Sequence, residues 1–178
     1  MTLNLKPTLL FMGSPEFACD ILRALHENHF QIIGVVAQPD KKAGRGMKMH
    51  SPEVALFARE HNLPLSQPDT LRDPEAVAWI ADKKPDFIIV AAYGKLLPDT
   101  ILKIPKIDCL NVHASLLPEY RGAAPVNHVL LDGKTETGVS IMRMVKALDA
   151  GPVYVSERLK IDQADDAMTL TKKLSKLG

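Results

Sequence analysis

Four short runs, PTLLFMG (7–13), FQIIGVVA (30–37), DFIIVAA (86–92) and CLNVH (109–113), stay apolar nearly throughout and are separated by stretches of helix length. A strand with one wet face alternates polar and apolar residues, so continuous apolar runs need cover on both sides. Intervening helices supply that cover. The chain is therefore expected to be α/β: a Rossmann-like open, mostly parallel sheet with helices on both faces. Ser14-Pro15, Ser51-Pro52 and Asp73-Pro74 each set a capping residue before a proline, predicting helices over about 14–28, 51–62 and 73–84. Residues 38–50 read as a loop, and short helices are expected after Pro98 and over 124–131. GVSIMRM (138–144) and GPVYVSERLKI (151–161), joined by the tight ALDAG, predict an antiparallel pair. A last helix starts near Asp166, with Leu170, Leu174 and Leu177 on one face.

At 178 residues and 46% hydrophobic content, the chain can bury the core of one domain, 1–178. Its 22 basic and 21 acidic residues leave a net charge of +1, so no global field advertises a nucleic-acid or membrane partner. The two cysteines, Cys19 and Cys109, are far apart and suit a reduced, cytoplasmic setting. No leader pattern and no membrane-spanning run is read. The first strand–helix turn holds one glycine where a dinucleotide fingerprint needs three, which argues against a dehydrogenase.

In open α/β sheets, ligands bind beyond the carboxyl ends of the strands. Those ends carry MGSPEF, AQPDKKAGRG, AYGKLLP and NVHASLLP. Side chains alternate along a strand, so Asn111 and His113 point the same way, roughly 6.6 Å apart. An amide donor beside an imidazole suits an oxyanion forming at a carbonyl, with proton transfer in the same step. Asp149, in the ALDAGP turn, is the candidate carboxylate if that hairpin folds back. The competing reading is a hydrogen-bonded structural Asn and His at a strand end. Lys41, Lys42, Arg45 and Lys48, against one Asp40, form either a solvated loop or an electrostatic footprint for phosphates. His26 and His29 are spaced to share a helix face but bring no third ligand. Trp79 reads as core, Arg121 and Gly122 as turn formers, and Cys109 as a buried apolar residue.

NVHASLLPEYRGAAPV (111–126) and GVSIMRMVKALDAGPVY (138–154) resemble the two signature motifs of the folate-dependent formyltransferases. FMGSPEFA, QPDKKAGRGMKM and VAAYGKLLP add to the likeness, in order along the chain, and point to the members that act on initiator methionyl-tRNA. The resemblance implies Asn111, His113 and Asp149 as the catalytic set. It implies folate contacts at Ser115, Leu116, Leu117 and Pro118, at Tyr93, Gly94, Leu96 and Leu97, and at Ala147, Leu148 and Gly151. It further implies 10-formyltetrahydrofolate as formyl donor, no metal, tRNA contact led by Arg45, and a monomer. Members of this family continue into a barrel-like second domain, so residues 1–178 are expected to be the catalytic domain alone. The alternatives are a related formyltransferase or hydrolase with a small acceptor, and a non-catalytic RNA-binding domain.

Overall fold

The structure is a computed structural model and describes residues 6–43 and 48–178. Two compact units divide the chain, residues 1–109 and 110–178.

In the first unit, β1 (Thr8–Gly13) pairs in parallel with β2 (Gln31–Val36) on one side and β6 (Phe87–Ala91) on the other. The two-residue β5 (Leu65–Ser66) extends the sheet beyond β2. Leu10, Phe11, Met12, Val35, Val36 and Ile88 are fully buried, as two-sided cover requires. That cover comes from α1 (Glu16–Glu27), α2 (Glu53–Glu60), α3 (Pro74–Asp82) and the short α4 (Asp99–Leu102). Gly13 lets α1 lie close: a Cβ there would sit 2.6 Å from Ala18 Cβ and 2.8 Å from the Ala91 carbonyl oxygen.

Three expectations need correction. Ser14 and Ser51 do not cap helices; Pro15 and Pro52 are the N-cap residues of α1 and α2. Both hydroxyls are engaged elsewhere: Ser14 Oγ accepts from the Gln38 amide at 3.1 Å, and Ser51 Oγ accepts from Arg59 at 2.9 Å. At the third start the expected cap holds, Asp73 accepting from the Glu75 amide at 3.0 Å. Residues 38–50 are not all loop, because β3 (Lys41–Ala43) and β4 (Lys48–His50) form an antiparallel pair with Lys41 opposite His50. Arg45 lies outside the described residues. His29 falls past the end of α1 with φ +58°, so it shares no helix face with His26.

The second unit is built on β7 (Asp108–His113), β8 (Glu136–Arg143) and β9 (Val153–Lys160), each antiparallel to the next, with α5 (Pro125–Leu131) and α6 (Ala167–Leu177). The late antiparallel pair is thus where the sequence put it. Asp166 and Thr169 close a capping box at the start of α6. Leu170 and Leu174 are fully buried where α6 packs on β8 and α5. Among the described residues no helix is long and apolar enough to cross a membrane.

The start of the parallel sheet hangs on one carboxylate. Asp86 accepts from the amide and hydroxyl of Thr8, both at 2.8 Å, and from Lys106 at 2.8 Å. Those bonds, led by Lys106, hold its pKa at about 2 against an ordinary 3.8. The folded chain therefore binds this proton less readily than the unfolded one. The stabilisation is complete above the ordinary value and is lost as pH falls through about 2. Asp86→Asn should lower the melting temperature at neutral pH and flatten its fall between about pH 4 and pH 2. Melting curves across that range, compared with the unsubstituted chain, check it.

Candidate active site

Strand β7 carries the two polar residues the sequence singled out. In its register with β8, Asn111 lies opposite Met142 and His113 opposite Ser140. His113 is 6% exposed and Asn111 half-buried. The chain after β8 returns Asp149 to the same place: its Oδ2 lies 3.8 Å from His113 Nδ1, with the carboxylate side chain only 10% exposed. A gap of that length exceeds a direct hydrogen bond. The other ring nitrogen, Nε2, sits 2.9 Å from the main-chain oxygen of Tyr120. A carbonyl can only accept, so Nε2 carries the hydrogen in this arrangement. Asp149 is itself held, its Oδ2 accepting from the Gly122 amide at 2.8 Å. The turn role expected of Gly122 thus extends to orienting a carboxylate.

The segment after β7 is fixed from behind by a residue the sequence reading missed. Ser140 is fully buried, and its hydroxyl donates to the Ser115 carbonyl at 2.7 Å. It also accepts from the Leu117 amide at 3.1 Å and lies 2.9 Å from Ser156 Oγ. Ser115 Oγ in turn donates to the Glu119 carbonyl at 2.6 Å. Residues 115–118 are therefore a pinned strip, including a cis Leu117-Pro118 peptide. Only a hydroxyl on the paired strand, facing inward, could have signalled this in the sequence. The 144–151 turn comes back tightly: a Cβ on Gly151 would lie 1.9 Å from the Arg143 carbonyl oxygen. Close backbone approach thus explains this glycine. Leu148 and Val145 of the same turn are left 57% and 38% exposed.

Left-handed backbone recurs around this site. Tyr120, Ala124 and Asp149 all hold φ between +45° and +55°, a region that costs a residue with a Cβ about 1–3 kcal/mol. Two of the three touch His113. Cys109, earlier on β7, is buried with its thiol pushed up to about 12, as a structural residue and not a nucleophile.

The remaining expected residues lie in the first unit. Tyr93, Gly94, Leu96 and Leu97 follow β6, with Leu96 75% exposed and Tyr93 buried. The Tyr93 hydroxyl finds no hydrogen-bond partner among the described residues, and burial pushes it up to about 12. Gly94 holds φ +80°, and the Gln38 side-chain amide donates to the Tyr93 carbonyl at 2.7 Å. At the carboxyl ends of β1 and β2 lies a cavity of about 340 Å³, lined by Ser14, Gln38, Lys41, His50, Ser51 and Glu53 among others. The position obeys the rule for open α/β sheets. Lys41 donates to Gln38 Oε1 at 2.9 Å, while Lys42 is exposed. Asp40 does not offset these cations, being tied to Arg59 at 3.2 Å and Gln67 at 2.7 Å. Lys48 belongs to β4. No group of three or more potential metal-ligating side chains occurs among the described residues.

An imidazole and a carboxylate thus face each other at the end of β7, with an amide two residues earlier on that strand and a hydrogen-bonded strip after it. The formyl transferase family model matches residues 6–178, and the chain belongs to that family. It is 47% identical to the methionyl-tRNA formyltransferase of Geobacter metallireducens over 96% of its own length and 55% of that protein's. It is 51% identical to the protein of the same name from Caldicellulosiruptor saccharolyticus, again over 96% and 55%. The chain thus spans about half the length of the curated relatives it matches. Among solved structures, it shares the fold of phosphoribosylglycinamide formyltransferase from Bacillus halodurans, with a TM-score of 0.76 and 22% identity over 95% of this chain and 88% of that one. The open α/β fold expected from the apolar runs is the fold of these proteins.

Ser140→Ala should leave the Leu117 amide and the Ser115 carbonyl without their buried partner. The expected cost is about 1–3 kcal/mol, read as a lower denaturant midpoint at unchanged slope.

Proposed function

We propose that this chain is the catalytic domain of an enzyme that moves a formyl group from 10-formyltetrahydrofolate to the amino group of methionine on initiator tRNA. The observation that supports the reading is His113 Nδ1 facing the Asp149 carboxylate at 3.8 Å, with Asn111 two residues earlier on the same strand. The identity to proteins named for this activity supports the choice of acceptor.

As the amine attacks the formyl carbon, negative charge develops on the formyl oxygen. Asn111 would donate its amide N–H to that oxygen in a site shielded from water, where such a bond counts for most. The ring of His113 would act beside it, facing Asp149. A model α-amine titrates near about 7.7–8.0, so a neutral fraction is available without a strong base. Residues 115–118 would lie along the folate, with Leu148 supplying apolar contact from the turn. In the first unit, Tyr93 and Leu96 are proposed as folate contacts on the family resemblance; the Tyr93 hydroxyl is buried without a partner among the described residues, and Leu96 is exposed. The cavity walled by Lys41 and His50 is our choice for the phosphate-bearing end of the acceptor, and Lys42, Arg45 and Lys48 are proposed as further tRNA contacts. Such an enzyme works in the cytoplasm.

The test is transfer of labelled formyl from 10-formyltetrahydrofolate to charged initiator tRNA, with glycinamide ribonucleotide as competing acceptor. Label on the tRNA supports the proposal, whereas label only on the small acceptor or in free formate overturns it. Asn111→Ala should cut turnover by about 10²–10³; His113→Ala and Asp149→Ala should also cripple it, with folate affinity little changed. Lys41→Ala and Arg45→Ala should each weaken tRNA use at low salt and reduce its salt dependence by about one unit of slope. Folate binding, measured by calorimetry, should not change in either.

A further inference from the structure

Tyr120 was not singled out by the sequence, yet it is bonded to His113. Its carbonyl, which takes the Nε2 hydrogen, belongs to a residue at φ +55°. A tyrosine does not stay in the left-handed region unless its surroundings insist. Here the insistence comes from both ends of the residue. The phenol donates to Asp132 Oδ2 at 2.8 Å, and Asp132 is the C-cap of α5, the helix that this turn leads into. One residue earlier, the Glu119 carbonyl is held by Ser115 Oγ at 2.6 Å, and the Glu119 carboxylate lies 3.7 Å from Lys134. Two residues later, the Gly122 amide is bonded to Asp149 at 2.8 Å. The turn is therefore tied by five contacts, one of them to the His113 ring itself.

We propose that Tyr120, locked by Asp132, is a positioning residue for His113: it claims Nε2–H and leaves Nδ1, facing Asp149, as the ring nitrogen that gains and loses the proton in formyl transfer. This rests on the reaction proposed above and names the atom through which its proton passes.

The consequence for Nδ1 is electrostatic. With the hydrogen committed to Nε2, a neutral ring turns a lone pair toward a carboxylate 3.8 Å away, so two acceptors face each other. The phenol, pushed up to about 12 chiefly by its bond to Asp132, stays a donor throughout the range in which a histidine titrates. In the transfer, the amine nitrogen bonds to the formyl carbon and the carbonyl pair moves to oxygen. One proton leaves the new ammonium and one reaches the folate nitrogen, whose bond to carbon breaks as the oxygen pair returns. Nδ1 takes the first and gives the second, so the ring ends as it began. A ring free to switch tautomers would offer Nδ1 already protonated and unable to accept. That makes the anchoring of Nε2 a requirement for turnover.

Two readouts test the role, in the full chain. The tautomer of His113 is read from its ring ¹⁵N resonances at alkaline pH, assigned by their loss in His113→Gln. The unsubstituted protein should hold the Nε2–H form. Tyr120→Phe and Asp132→Ala should show mixed tautomers and lose about fivefold or more in kcat, with KM for the folate within about twofold. Asp132→Asn keeps an oxygen for the phenol and should restore both. Dispersed amide spectra establish that each variant is folded. An Nδ1–H ring in the unsubstituted chain overturns the proposal, and so does Tyr120→Phe with tautomer and kcat unchanged. If the unsubstituted protein transfers no formyl group, the proposed reaction falls, and the tautomer measurement still decides the role of Tyr120.

Discussion

The register of β7 against β8 is the constraint on which the second unit depends. With His113 opposite Ser140, the imidazole stands at the strand end while the serine hydroxyl reaches back to fix the segment leaving that strand. A slip of one residue would exchange the two faces of β7 and turn Asn111 and His113 away together. The partner strand also decides where Asp149 falls, because the turn that carries it begins where β8 ends. The register thus sets all three polar groups and the strip beside them.

What surrounds those groups is rigid at some expense. Left-handed backbone at Tyr120, Ala124 and Asp149 is unfavourable locally; Tyr120 is held by His113 and Asp132, and Asp149 by the Gly122 amide. Such rigidity suits a reaction whose charge appears on one oxygen. Donors already in place need not reorganise as that charge develops, and a dry setting strengthens them.

The fold was largely legible because two-sided burial writes itself as unbroken apolar sequence, as at residues 86–92. Asn111 and His113 were legible for a related reason: polar side chains two apart at the end of such a run need an explanation. Asp149 could be proposed only by supposing how a turn folds. Ser140 and Tyr120 were beyond reach, because one acts through a hydroxyl hidden behind the strip and the other through a main-chain oxygen, which every residue has. The serines before Pro15 and Pro52 misled for a physical reason: their hydroxyls bind the Gln38 amide and the Arg59 side chain instead of the first-turn amides of their helices. The β3–β4 pair escaped notice because its strands are three residues long and rich in lysine, with none of the apolar pattern that marks a strand.

The central claim is that Asn111 and its neighbours recognise the transfer reaction's tetrahedral state in preference to the planar formyl group. Its most direct test is the binding of two folate analogues, one with a planar formyl mimic and one with a hydrated aldehyde, tetrahedral and oxygen-rich at the same carbon. The tetrahedral analogue should bind at least about 100-fold more tightly, and Asn111→Ala should remove most of that preference while leaving the planar analogue's affinity nearly unchanged. If the two analogues bind equally, or if Asn111→Ala weakens both to the same extent, the site holds folate without stabilising the oxyanion and the claim is contradicted.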